Sequence, residues 1–176
     1  LSGSATDFTT VPAPLQYGTT QTLEIPGLEG GTTYYFAVKA KAAWNAWGYL
    51  SNGTTAQAKL YAPAAASPAI TGVFSSSFTL HWTASAYNRQ DVRYVAQVSS
   101  DSDFNVAVVS SDTANLSATL ETLYTNTTNY SRVYAYSGSK VSAYAQLGST
   151  ITLASQVAGT QVYGVWTTSV TVNWLP

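Results

Sequence analysis

The chain has 176 residues, with 7 Lys and Arg against 8 Asp and Glu, a net charge of −1, one His, and neither Cys nor Met. Charged residues make up 9% of it, where an average globular chain has about 25%, so it carries no basic footprint for nucleic acid, no thiolate for disulfides or metal, and no convergent acids and imidazoles for catalysis. Hydrophobic residues at 45% are enough for real cores, no run of 18 apolar residues is present to insert in a membrane, and the surface is left to Ser, Thr, Ala and Tyr, which suits an extracellular structural protein or one packed into an assembly.

In chain order, the first clear signal is at residues 22–40, TLEIPGLEGGTTYYFAVKA. Leu23 and Ile25 alternate with polar neighbours, the period of two of a half-buried strand. Pro26, Gly27, Gly30 and Gly31 punctuate a tight corner, and beyond it Tyr34, Phe36, Val38 and Ala40 alternate on one face. Residues 42–51, AAWNAWGYLS, read as a loop carrying Trp44, Trp47 and Tyr49. Such aromatics anchor a protein interface, stack on sugar rings or fold back on their own sheet, and the pattern leaves all three open. Residues 62–68, rich in Pro and Ala, read as a linker held extended by its prolines.

Strand signals then follow at 69–73, 78–82, 93–99, 106–110, 116–120, 130–136 and 148–153, with no helical period between them. Phe78, Leu80 and Trp82 share an inner face, as do Tyr94, Ala96 and Val98. His81 falls on the opposite face from its neighbours Leu80 and Trp82, and a lone imidazole makes a poor metal site. Asp101 and Asp103 are the close acid pair; calcium wants six or more oxygens, so an ordinary turn is the reading. No catalytic residue, metal ligand or cofactor is expected, and an enzyme is not.

The chain repeats itself. GVFSSSFTLHW at 72–82 returns as GVWTTSVTVNW at 164–174, carrying Trp82 to Trp174 at an offset of 92. At an offset of 95, Leu23, Ile25 and Leu28 match Ala118, Leu120 and Leu123, and Thr32, Thr33, Val38 and Ala40 match Thr127, Thr128, Val133 and Ala135. A period of roughly 90 residues is the size of one sandwich domain.

The corner closed by Thr32-Thr33-Tyr34 and the Trp-ended strand at 78–82 resemble fibronectin type III domains of the kind found in bacterial secreted and cell-surface proteins. The resemblance implies an all-β fold of tandem fibronectin type III, immunoglobulin-like antiparallel sandwiches, with a tyrosine corner in which the Tyr34 hydroxyl bonds the backbone upstream. On this reading residues 1–61 are the C-terminal part of one domain, from its third strand onward, and 62–68 a linker. Residues 69–155 are a complete domain, and 156–176 a linker with the first two strands of a further one. Asn129 stands where the second corner should have its tyrosine; either Tyr130 fills the place through a bulge, or the corner lacks one.

The functional expectation is a structural subunit or segment of an extracellular filament or cell-surface array, assembled head to tail. The chain starts and stops inside a domain, so the strand with Val170, Val172 and Trp174 is the expected donor, and Leu23, Ile25, Tyr34, Phe36 and Val38 the expected acceptor core in a neighbouring molecule. A window of one continuous covalent array is the competing expectation. The partner is the chain itself, with carbohydrate or another surface protein at Trp44, Trp47 and Tyr49; no nucleic acid and no membrane insertion are expected. The alternative is a spacer or binding module of a secreted carbohydrate-active enzyme or adhesin.

Overall fold

A computed structural model describes residues 15–16, 18–41, 44 and 46–175; the strand expected at the very start of the chain lies outside them. Every regular element among the described residues is a strand. In chain order they are β1 (Thr33–Phe36), β2 (Lys39–Lys41), β3 (Trp47–Leu50), β4 (Thr54–Gln57), β5 (Ala64–Thr71), β6 (Phe78–Thr83) and β7 (Arg93–Ser99). They continue as β8 (Val109–Thr113), β9 (Ser117–Leu120), β10 (Thr128–Ser137), β11 (Lys140–Val141), β12 (Ala145–Ile151), β13 (Ala158–Val165) and β14 (Val170–Leu175).

Strands β5 to β12 make an antiparallel sandwich. One sheet has the order β5-β6-β9, the other β11-β10-β7-β8 with β12 also paired to β10. The alternation FTLHWT puts Phe78, Leu80 and Trp82 fully inside and Thr79 and His81 on the outer face, because successive side chains of a strand point to opposite faces. Opposite them lie Tyr94, Ala96 and Val98 of β7 and Val133 and Ala135 of β10, all buried. The Trp82 indole packs against the Tyr94 ring, centroids 5.8 Å apart. On the outer face, His81 Nε2 sits 2.7 Å from Thr71 Oγ1.

Three expectations are corrected. Residues 64–68, read as linker, lie in β5: Ala64 and Ala65 pair with Thr83 and Trp82, and a register shift between Ala65 and Ile70 absorbs Pro68. An edge strand tolerates proline where the ladder is already broken. The strand expected at 106–110 is β8, displaced toward the C-terminus. The chain loops first, with positive φ at Phe104 and Ala107, the Ser99 hydroxyl donating to the Val106 carbonyl at 2.6 Å, and both Asp101 carboxylate oxygens accepting backbone N–H groups from Asp103 and Asn105. Finally, the alternating stretch with Leu23 and Ile25 is not a strand. Its counterpart β9 exists by pairing with β6, and residues 22–25 have no such neighbour among the described residues.

The two corners differ. Tyr34 Oη accepts the backbone N–H of Glu29 at 2.8 Å, the tyrosine-corner bond. In the second corner Tyr130 lies on the outer side of β10 and Asn129 points inward, buried, with Nδ2 donating to the Thr127 carbonyl at 2.8 Å. The tyrosine is missing there, and the buried Thr152 hydroxyl ties the turn, donating to the Tyr124 carbonyl at 2.5 Å and accepting from Thr127 N–H at 3.1 Å.

Two carboxylates couple the fold to pH. The Tyr136 hydroxyl donates to Asp112 at 2.7 Å and Arg93 Nε at 3.0 Å, and these bonds, the tyrosine's first, hold the Asp112 carboxyl below its ordinary range. The N–H groups of Asn105 and then Asp103 do the same for Asp101. A carboxylate depressed on folding contributes stability that is present above its unfolded pKa and lost as pH falls through its folded one. The urea midpoint is therefore expected to hold from pH 7 to 5 and to drop below about pH 4. Asp112→Asn should flatten part of that drop; an unchanged acid limb would show that the Tyr136–Asp112–Arg93 bonds carry no net stability.

Candidate self-assembly surfaces

Ahead of the sandwich, the chain folds as two small two-stranded sheets, β1-β4 and β2-β3. β1 pairs Tyr34 with Ala56 and Phe36 with Thr54. Tyr34 and Phe36 share a face, half-buried, with ring centroids 6.4 Å apart. Of the other expected acceptor residues, Ile25 is half-buried, while Leu23 and Val38 are exposed. A cleft of about 480 Å³ opens between residues 24–28 and 58–61, floored in part by Ile25, Leu28 and Leu60. Of the five acceptor residues, Ile25 lines this cleft and Tyr34 and Phe36 share a face of β1; Leu23 and Val38 stand exposed outside any strand, and no second sheet covers β1-β4 among the described residues.

At the other end, β13 and β14 form a two-stranded sheet of their own. Its pairing matches that of the sandwich's first two strands at one pair and in the bond that closes the turn, and shifts by one residue between them, where Gly164 faces Thr171. Val162 faces Val172 where Ile70 faces Leu80, and Trp166 N–H bonds the Ser169 carbonyl at 2.8 Å where Phe74 N–H bonds the Ser77 carbonyl at 2.8 Å. The two hairpins differ in cover. Phe78, Leu80 and Trp82 are 0%, 0% and 2% exposed; Val170, Val172 and Trp174, which stand in the same places, are 57%, 42% and 60% exposed.

Trp44, Trp47 and Tyr49 do not all lie in a loop. Trp47 and Tyr49 are in β3 and Trp44 is in the turn before it, and all three rings are exposed. Lys39 and Lys41 of the paired strand hold their ammonium groups 5.4 and 5.1 Å from the Trp47 ring centroid, a cation–π arrangement.

Pattern reading missed the join between the N-terminal segment and the sandwich. Leu60 enters the sandwich core at 6% exposure. The Asn88 side chain, in the turn between β6 and β7, accepts from Tyr61 N–H and donates to the Tyr61 carbonyl, both at 2.8 Å. Gly30 N–H donates to the Tyr87 carbonyl at 2.7 Å, and Arg89 N–H to the Gly30 carbonyl at 3.2 Å. A Cβ on Gly30 would stand 2.5 Å from Asn88 Oδ1 and 2.9 Å from the Lys59 carbonyl, so the close approach requires glycine. The Tyr61 and Tyr87 rings close the join, centroids 5.3 Å apart. The Gly30-Gly31 pair was the one available signal, and it pointed as well to a turn.

The chemistry elsewhere is self-contained. The Arg132 guanidinium lies between the Phe104 and Tyr144 rings, 3.9 Å from each centroid, and Nε donates to Gln97 at 2.8 Å. No group of three or more His, Cys, Asp and Glu comes together among the described residues. No helix among them is long and apolar enough to cross a membrane.

No protein-family model matches the chain, and no curated protein matches its sequence. Solved structures do. A two-domain fibronectin type III segment of chicken tenascin superposes with a TM-score of 0.50 at 17% identity, over 69% of this chain and 66% of that one. A titin segment, domains A168–A170, gives 0.47 at 18% identity over 58% of this chain, which spans 36% of that segment. The fibronectin type III domain of human fibronectin type III domain containing protein 3 gives 0.44 at 17% identity, over 60% of this chain and 94% of that domain. The fold is an all-β sandwich of the fibronectin type III and immunoglobulin-like kind.

Proposed function

We propose that this chain is a structural building segment of an extracellular filament or cell-surface array, in which each hairpin like β13-β14 closes over an open N-terminal unit like β1-β4 of the next copy. A non-catalytic role as a structural or binding module agrees with the sandwich fold, although a fold hosts many functions. The observation that carries the reading is the hairpin. It shares the central pair and the turn bond of β5-β6 without its cover, and it leaves Val170, Val172 and Trp174 in solvent. An isolated two-stranded hairpin is marginal in water, and an apolar surface of this kind marks an interface. Burying the three side chains would contribute on the order of 5–9 kcal/mol before ordering costs. A heterologous contact that does not close on itself grows into a thread.

The 176-residue polypeptide is expected to form concentration-dependent multimers on sedimentation, which dissolve to a single 18.6 kDa species in denaturant. Trp174→Asp should return it to monomer without lowering the melting temperature of the sandwich. A wild-type monomer, or multimers that Trp174→Asp leaves intact, would sink the reading. The covalent version, one long chain of such units, is separated by the denaturing mass of material from the native source, which would far exceed 18.6 kDa.

A second reading, a binding or spacer module of a secreted carbohydrate-active enzyme or adhesin, is favoured by the exposed rings of Trp44, Trp47 and Tyr49. Saccharide-induced quenching of tryptophan fluorescence that Trp47→Ala removes would support it.

A further inference from the structure

Residues 22–25 have a partner in waiting, and the geometry points to which one and in what register. We infer that on assembly this segment becomes a strand paired antiparallel with β14 of a second copy, with Val170 opposite Ile25, Thr171 opposite Glu24, Val172 opposite Leu23 and Asn173 opposite Thr22. The inference rests on the head-to-tail reading above and adds the partner strand and its alignment.

The template is inside the molecule. β6 and β9 pair Phe78 with Leu120, Thr79 with Thr119, Leu80 with Ala118 and His81 with Ser117. The sequence repeat carries the first residue of each pair to Val170, Thr171, Val172 and Asn173, and the second to Ile25, Glu24, Leu23 and Thr22. β14 already holds the position of β6 within its hairpin, with Val172 facing Val162 as Leu80 faces Ile70, so its other edge is the one that β6 offers to β9. Such an edge is a row of backbone groups free to pair. Every apolar side chain then lands on the inner face: Val170, Val172 and Trp174 with Leu23 and Ile25, above Tyr34 and Phe36. A slip of one residue would turn the whole set outward.

The occupant is a second copy because the chain's own hairpin leaves from the wrong end. The N-terminal segment joins the sandwich at Tyr87, Asn88 and Arg89, just beyond the end of β6. The hairpin departs after Leu153, whose N–H bonds the Phe74 carbonyl at 3.0 Å, just before the start of β6. The two poles are separated by the length of that six-residue strand, about 20 Å.

The chain's lack of cysteine makes a clean cross-linking test. In the template, Trp82 N–H bonds the Leu116 carbonyl at 3.0 Å. By the alternation of an antiparallel ladder, Thr79–Thr119 is a non-hydrogen-bonded pair, where the side chains approach most closely. Its hydroxyls are 2.9 Å apart. The equivalent pair, Thr171 and Glu24, faces solvent and lies outside the apolar contact. Glu24→Cys with Thr171→Cys, oxidised in solution, should give a reducible ladder of multiples of 18.6 kDa on a denaturing gel. The slipped pair Glu24→Cys with Val172→Cys should give at least tenfold less. Multimers on sedimentation without that preference would overturn the register while leaving assembly standing. Absence of multimers in the wild type would overturn both. A disulfide-closed monomer would show that the hairpin folds back on its own chain, which overturns the second copy as partner.

Discussion

Trp82→Ala should cost the sandwich about 3–5 kcal/mol, the usual range for truncating a buried aromatic. Trp82 is 2% exposed and lies against Tyr94 between the two sheets. β6 is central in its sheet, with β5 on one edge and β9 on the other, so the cavity cannot collapse without moving both neighbours. Domains of this size are stable by about 5–15 kcal/mol, which makes the variant marginal or unfolded at room temperature. Trp82→Phe should lose much less. It keeps a ring in the gap and removes an indole N–H that is buried with no partner among the described residues. Urea unfolding followed by tyrosine fluorescence reads both. A loss below about 1 kcal/mol for the alanine variant would mean that Trp82 is not a central core residue.

Leu60→Ala should cost about 2–5 kcal/mol, and it tests a different claim. Leu60 precedes the first strand of the sandwich, yet it is 6% exposed and packs in the sandwich core. Were the N-terminal segment merely tethered, truncating Leu60 would cost no more than about 0.5 kcal/mol, as surface changes do. Asn88→Ala reaches the same join from the other side, leaving the N–H and carbonyl of Tyr61 without their partner, at about 1–3 kcal/mol. The double variant should lose less than the sum, because both changes open one contact. Limited proteolysis supplies the second readout: cleavage between Lys59 and Ala64 should rise in either variant. Full additivity with no new cleavage would contradict a shared join.

What could be read from sequence follows from which interactions are local. The alternation of Phe78, Leu80 and Trp82, and of Tyr94, Ala96 and Val98, needs only the period of two, and those residues line the core. The Tyr34 corner is local as well: its hydroxyl reaches back five residues to Glu29. Features that depend on a distant partner were not legible. Ala64 and Ala65 look like linker because nothing in their composition announces the Thr83 and Trp82 that pair with them. Leu23 and Ile25 look like a strand because the pattern is right, but a strand needs a neighbour, and none stands beside them among the described residues. Asn88 is one of many turn asparagines, and only the fold brings Tyr61 to it. The repeat alone singles out the donor and acceptor side chains: Val170, Val172 and Trp174 lie in β14 and Tyr34 and Phe36 in β1, while Leu23, Ile25 and Val38 lie outside the strands.

The Asn88 clamp bears on how a thread of such units would carry load. Two hydrogen bonds from one amide hold both backbone groups of Tyr61, Gly30 is pressed flat beneath the same side chain, and Leu60 is anchored in the core beyond. A single bond would leave a swivel; two in parallel with a buried anchor resist torsion as well as bending. Tension along the backbone at this join has to shear the amide pair and draw out Leu60 together rather than straighten slack. In a thread of the proposed kind, the clamp would stiffen one joint of each repeat, the one ahead of the sandwich.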